Sequence, residues 1–212
     1  MELVGHLVVA CLAYLLGSMP TGYLVARARG LDIRAVGSGN IGATNVFRSL
    51  GAPAGTLVLA VDAVKGWIAC VVLSGLIHRL FGADPGLSTP ESLRLVAGIA
   101  VVVGHNYTCW LRFRGGKGIA TSAGVLAALV PYALLILLAA WLATFLLTRF
   151  ASLASVVAAL TLPFAVWGTR GSLTLILVTA GLSALATYRH RANLQRIVAG
   201  TEPRFSRPKP PP

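Results

Sequence analysis

Residues 119–148 read IATSAGVLAALVPYALLILLAAWLATFLLT, thirty positions without a charged side chain. A single helix of that length, rising 1.5 Å per residue, would reach about 45 Å, well beyond the roughly 30 Å hydrocarbon core of a bilayer. Pro131 lies near its middle, lacks an N–H and clashes with the preceding turn, so the run is expected to break there into two short helices. The rest of the chain has the same character. Of 212 residues, 56% are hydrophobic and 11% charged, and the mean hydropathy is +0.79. Such values exclude a soluble domain and define an integral membrane protein.

Further apolar runs bounded by charges occupy 3–26, 54–77, 93–111, 151–167 and 172–188. The net charge of +12 would suit a nucleic-acid binder in a soluble chain, but here the charges sit at the ends of apolar runs, which argues against nucleic acid. Loops rich in Lys and Arg stay cytoplasmic. Segments 27–50 (Arg27, Arg29, Arg34, Arg48), 112–117 (Arg112, Arg114, Lys117) and 189–212 therefore share one side. Breaking the long run at Pro131 satisfies that parity. It gives a compact all-α bundle of seven transmembrane helices, N-terminus outside and C-terminus cytoplasmic, with Arg149 inside and Arg79, Arg94 and Arg170 outside; a five-span arrangement is the competing count. The start MELVGH carries Glu2 rather than lysines and no small-residue cleavage site follows, so the first run reads as an anchor. Residues 1–202 form one expected membrane domain, and 203–212 a basic, proline-rich disordered tail. Cys11, Cys70 and Cys109 lie far apart in apolar surroundings and suggest neither disulfide nor metal site.

Chemistry is confined to the polar segments. GSGNIGATNVFRSLG, residues 37–51, gathers four glycines with Ser38, Asn40, Thr44, Asn45 and Arg48. Glycines allow positive φ and close backbone approach, so amides, hydroxyls and a guanidinium can converge on one anion. The bland alternative is a solvated interhelical turn. Residues 37–42 also fit G-x-G-x-x-G with Asp62 downstream, but a dinucleotide site needs a βαβ unit, and membrane-length runs flank this loop. GHNYTCWLRFRGGKG, residues 104–118, sets Lys117 among Gly115, Gly116 and Gly118. Its glycine spacing is wrong for a nucleotide P-loop, and Gly118 stands where Ser or Thr would bind magnesium. An anion-binding lysine remains, against simple cytoplasmic anchoring. His105 and Asn106 fall in the preceding span, where polar groups usually face a bundle interior. In YRHRANLQRIVAGTE, residues 188–202, helical spacing lets His190, Asn193 and Arg196 meet one ligand, or else forms an amphipathic helix on anionic lipid. Asp62 and Lys65, each costing about 2.5–3.5 kcal/mol unpaired at a span's centre, are spaced to pair.

Three anion-binding segments at one face of a helical bundle suit a phosphate-bearing substrate with a greasy chain; a carrier or flippase for a phosphate-bearing lipid or anion is the alternative. GSGNIGATNVFR, GHNY with LRFRGGKGIAT, and YRHRANLQRIVAGTE closely resemble, in order and spacing, the three motifs of the bacterial acyl-phosphate:glycerol-3-phosphate acyltransferases, the PlsY family, and GSMPTGYLVAR (17–27) and DAVKG (62–66) extend the likeness. Thr108-Cys109 departs from the family's usual proline, which bears on where that helix ends. The resemblance implies acyl transfer from acyl phosphate to the 1-hydroxyl of sn-glycerol 3-phosphate, releasing inorganic phosphate, with no metal or cofactor. It also implies a bacterial inner-membrane enzyme with a cytoplasmic site, coupled functionally to the enzyme that makes acyl phosphate. On this reading Ser38, Gly39, Asn40, Thr44, Asn45 and Arg48 hold the donor phosphate. Lys117, His190, Asn193 and Arg196 hold the acceptor and stabilise charge, Gly115 and Gly116 beside the lysine bind substrate, and Asp62, Lys65, His105 and Asn106 support. No H-x-x-x-x-D pair is present, so the base is either a donor phosphate oxygen or His190.

Overall fold

The computed structural model describes residues 2–82, 90–169 and 172–205, and among them every regular element is helical. In chain order these are α1 (Glu2–Ser18), α2 (Thr21–Arg27), α3 (Ala43–Leu50), α4 (Ala52–Ile68), α5 (Ser74–Phe81), α6 (Glu91–Asn106), α7 (Ile119–Leu129), α8 (Pro131–Thr148), α9 (Ala151–Thr169), α10 (Leu173–Arg189) and α11 (Arg191–Val198). Among the described residues, four stretches are long and apolar enough to cross a bilayer: Glu2–Arg27, Ala52–Phe81, Pro131–Thr148 and Ala151–Thr169. α7 and α10 are shorter apolar helices. The break expected at Pro131 is present: Val130 leaves helical geometry and Pro131 opens α8, where its missing N–H costs nothing. Arg170, expected outside, falls beyond the described residues.

Two expected spans differ in detail. The run 3–26 is interrupted at Met19–Pro20, since proline removes the amide that would continue α1. The run 93–111 is helical only to Asn106. Thr108 then takes over: its hydroxyl donates to the Ser18 carbonyl (2.6 Å) and accepts from the Trp110 amide (3.3 Å), capping the 3-10 turn Cys109–Leu111. A π-helical turn, Ala69–Leu73, joins α4 to α5.

The chain divides into two compact units, Met1–Leu129 and Val130–Pro212. In the first, α1 packs on α6 and α4 on α7. Lipid is as apolar as leucine, so small residues that let backbones touch must hold such pairs. A Cβ on Gly17 would overlap the Val101 carbonyl, and one on Gly104 the Tyr14 carbonyl; across the other crossing, Gly66 faces the Thr121 carbonyl and Gly124 that of Ala63. Beneath the glycine-rich segment lies an apolar cluster of Ala26, Ile33, Ile41, Val46, Val58 and Leu111. In the second unit α9 packs against both α8 and α10. α8 buries only Ala133 and Leu137, as befits a helix apolar on every side and facing lipid. Residues 203–205, expected to begin the disordered tail, are instead held: the Phe205 amide donates to the Arg149 carbonyl (2.8 Å) and its ring meets Phe145 edge-on at 5.6 Å. Residues 206–212 lie outside the described residues.

Candidate functional site

The glycine-rich segment is a built loop rather than a slack turn. Asp32 caps the turn Ile33–Ala35, accepting from the Arg34 amide (3.0 Å) and from its guanidinium (3.0 and 2.7 Å). Those bonds hold the exposed Asp32 carboxyl at about 2, below the usual carboxylate range. Beyond it, Gly37 (φ +58) and Gly39 (φ +67) adopt left-handed geometry on either side of exposed Ser38, a conformation other residues reach only with strain. Asn45, 2% exposed, frames the loop from inside. Its Oδ1 accepts from the Ser38 amide (3.0 Å), and its Nδ2 donates toward the carbonyls of Ile33, Val36 and Asn40 at 3.2, 3.1 and 2.9 Å. Asn40 closes a second turn, its Oδ1 accepting from the Gly42 amide (2.8 Å). The Asn45 side chain is thus turned to its own loop, while Ser38 and Thr44 are presented outward and Arg48 follows one turn along α3.

A second array lies within the helices. Lys65 Nζ donates to Asp62 Oδ1 (2.8 Å), to the Met19 carbonyl (3.2 Å) and to His105 Nδ1 (2.9 Å). Thr21 on α2 donates to the same Asp62 oxygen (3.0 Å). Asp62, Lys65 and His105 are all buried, at 2%, 2% and 5% exposure, so the ammonium's three protons must find acceptors in the protein, and they do. The lysine loop rests on this array. Gly116 N–H donates to the His105 carbonyl (3.0 Å) and Gly115 N–H to that of Asn106 (3.1 Å), meeting carbonyls that the end of α6 leaves without intrahelical partners. A Cβ on Gly116 would overlap His105 Nε2, and one on Gly118 (φ +79) would come within 2.7 Å of Asn106 Oδ1. The glycines around Lys117 are therefore required by close packing on α6.

The third motif turns a corner. His190 ends α10 and precedes α11, so it does not share a continuous helical face with Asn193 and Arg196. His190 and Asn193 are buried at 3% and 6% exposure. His190 Nδ1 lies 2.8 Å from the Ala186 carbonyl; a carbonyl can only accept, so Nδ1 carries a proton, and in the neutral ring Nε2 is then the acceptor nitrogen. Glu202, which the sequence reading passed over, holds the corner together. Its Oε1 accepts from Asn193 Nδ2 and Ser152 Oγ, both at 2.7 Å, and its Oε2 from Arg196 Nε at 2.8 Å. Burial pushes this carboxyl up, but the bonds from Asn193, Ser152 and Arg196 outweigh it and hold it below 4.5. The available signal was scarcity: six acidic residues in 212, one of them closing a basic segment. Thr21 was missed too.

A further recess of about 460 Å³ in the first unit is lined by Tyr23, Arg34, Trp110, Leu111, Arg112 and Arg114. Arg34 stacks on Tyr23 at 4.8 Å. Arg112 (φ +53) and Phe113 (φ +60) hold left-handed geometry in succession.

A helical integral membrane protein with glycine-built loops that present hydroxyls, backbone amides and cations belongs to the class that handles phosphate-bearing molecules at a bilayer surface. The comparisons narrow that class. The family model described as glycerol-3-phosphate acyltransferase matches residues 7–200. Proteins named glycerol-3-phosphate acyltransferase are 46% identical in Desulforudis audaxviator, over 97% of this chain and 98% of the relative, and 39% identical in Geobacter sulfurreducens, over 96% and 99%. The solved structure of PlsY (YgiH), an integral membrane glycerol 3-phosphate acyltransferase in its glycerol 3-phosphate form, is 37% identical with a TM-score of 0.84, covering 95% of this chain and 96% of that one. Its lysophosphatidic acid form gives 36% and 0.81, over 95% of each chain. The chain belongs to the glycerol-3-phosphate acyltransferase family, the PlsY type.

Proposed function

We propose that this protein transfers an acyl group from acyl phosphate to the 1-hydroxyl of sn-glycerol 3-phosphate, giving 1-acyl-sn-glycerol 3-phosphate and inorganic phosphate. The observation that carries the reading is the first loop, where Ser38 is held outward between two left-handed glycines by the buried Asn45 amide. Such a frame costs backbone freedom and is useful where amides and a hydroxyl must converge on an anion. Support also comes from the relative solved in glycerol 3-phosphate and lysophosphatidic acid forms.

An acyl phosphate is already activated, so the protein's task is positioning and charge stabilisation. Ser38, Gly39, Asn40, Thr44 and Arg48 hold the donor's phosphate, with Asn45 fixing their loop. Lys117, on the loop shaped by Gly115 and Gly116, binds the glycerol phosphate with Arg196 and, with Asn193, stabilises the carbonyl oxygen. The acceptor hydroxyl attacks the carbonyl carbon, the bond to phosphate breaks, and phosphate leaves with the electron pair. The hydroxyl proton passes to His190 Nε2, for which the Nδ1–H tautomer fits the ring, or to a donor phosphate oxygen, whose second pKa is about 6. The reading further places both units in one seven-span domain of the bacterial inner membrane, motifs at the cytoplasmic face, working beside an enzyme that supplies acyl phosphate.

Purified protein given palmitoyl phosphate and labelled glycerol 3-phosphate is expected to release inorganic phosphate and lysophosphatidate in equal amounts. Movement of either anion into vesicles with no acylated product overturns the enzyme reading in favour of a carrier.

A further inference from the structure

Buried charge inside a membrane helix is expensive, and a simple ion pair between Asp62 and Lys65 would already offset it. The array goes further than a pair. Lys65 reaches past Asp62 to His105, forty residues away and on a different helix, while Asp62 Oδ1 lies 3.6 Å from His105 Nδ1, too far for a hydrogen bond. The ammonium is the donor to Nδ1. It has no lone pair to accept with, so the imidazole is neutral and its one proton sits on Nε2. That nitrogen is the one that packs against Gly116, the residue before Lys117. The neighbouring amides of Gly115 and Gly116 are bonded to the carbonyls of Asn106 and His105. Tautomer, ring orientation and loop position are thus coupled through a single buried residue.

We infer that Asp62, Lys65 and His105 are positioning residues for the reaction: they lock the His105 ring, and the ring sets the height of the Gly115–Gly118 loop and so the placement of Lys117. The inference rests on the proposed role of Lys117 in acceptor binding and charge stabilisation. None of the three touches substrate on this reading. The array also reaches the first loop. Thr21 ties α2 to Asp62, and next to it Gly22 packs directly on the Ile41 carbonyl, so both anion-binding loops stand on one buried frame.

The test is a double-mutant cycle between His105→Asn and Lys117→Ala in the full-length, detergent-purified protein, read by acyl transfer from palmitoyl phosphate. Asn keeps an acceptor where Nδ1 was, so Lys65 stays satisfied and the fold is retained. It removes the half of the ring that carries Nε2 beneath Gly116. His105→Asn is expected to lower kcat/KM for glycerol 3-phosphate by about tenfold or more while changing the KM for palmitoyl phosphate by less than about twofold. In the Lys117→Ala background the same change is expected to have almost no further effect, because the group it positions is gone. His105→Gln, which replaces an N–H near the Nε2 position, should recover part of the activity. Losses that multiply in the double variant, or a KM change shared equally by both substrates, overturn the inference and leave a merely structural array. Wild-type protein that makes no lysophosphatidate sinks the functional reading instead. The array is then judged by alkylation of Lys117→Cys, expected to change rate about tenfold on adding His105→Asn and to stay constant if the ring does not hold the loop.

Discussion

Replacing Asn45 by Ala isolates the frame of the first loop from the groups it presents. The wild-type amide accepts one hydrogen bond, from the Ser38 N–H, and directs two protons at three carbonyls, those of Ile33, Val36 and Asn40. Three bonds' worth of pairing is lost, at a net of about 0.5–1.5 kcal/mol each, or roughly 1.5–4.5 kcal/mol of local stability. Since about 1.4 kcal/mol is a factor of ten, opening of residues 36–40 should become about 10- to 1,000-fold more frequent. The loop is local, and the cluster of Val46, Ile41 and Val58 below it is intact in the variant, so the helices should melt within a few degrees of wild type. Hydrogen exchange followed by mass spectrometry on peptides covering 36–45 reads the opening directly, and steady-state kinetics reads its consequence, a fall in kcat/KM. Asn45→Asp is the sharper control. It retains the acceptor for Ser38 but points a carboxylate at three carbonyl oxygens, so it should be at least as damaging as Ala. If exchange over 36–40 stays within about twofold of wild type while the KM for acyl phosphate rises, Asn45 is a direct ligand and the framing argument is wrong.

Glu202→Gln should lower thermal stability by about 1–3 kcal/mol, from weakened bonds to Asn193 and Ser152 more than from partly exposed Arg196. The folded carboxyl sits below its ordinary 4.5, so the wild type's advantage over this variant is full above that pH and fades as pH falls through the folded value; melting curves across the acid range check the sign. Gly124→Ala forces a methyl into the Ala63 carbonyl and should cost about 1–3 kcal/mol as overpacking; Gly181→Ala in α10, with open space around it, should be neutral or slightly stabilising by the same melt. His190→Ala should reduce kcat by about 10²–10⁴ and abolish the acidic limb of its pH profile if Nε2 takes the proton, whereas a raised KM at near-normal kcat assigns the ring to binding.

What the sequence made legible follows the range of the interactions involved. The break at Pro131 was readable because the cause is a single residue acting on its own turn; the same rule at Pro20 was obscured by apolar residues on both sides of it. The Asp62–Lys65 pair was readable because both charges share one helix. Their partner His105 was recognised as an inward-facing residue, but its bond to Lys65 depends on how α6 meets α4, which no local pattern encodes. The end of α6 was placed too late because Trp110 and Leu111 extend the apolar run, whereas Thr108 stops it by binding back to Ser18. For the first loop, composition marked a candidate anion site without saying which amide faces inward; Asn40 and Asn45 look alike in sequence and differ only in what surrounds them. Glu202 was invisible for a related reason, since its partners lie on α9 and α11.

The proposed function requires the Ser38 loop and the His190–Asn193 corner to serve the same pair of substrates. A Ser38→Cys, Asn193→Cys protein in native membranes, treated with a short bismaleimide, measures this directly. Convergence predicts an intramolecular cross-link whose formation is slowed by palmitoyl phosphate together with glycerol 3-phosphate. Two cysteines that are modified separately, never joined, and indifferent to both ligands would contradict it.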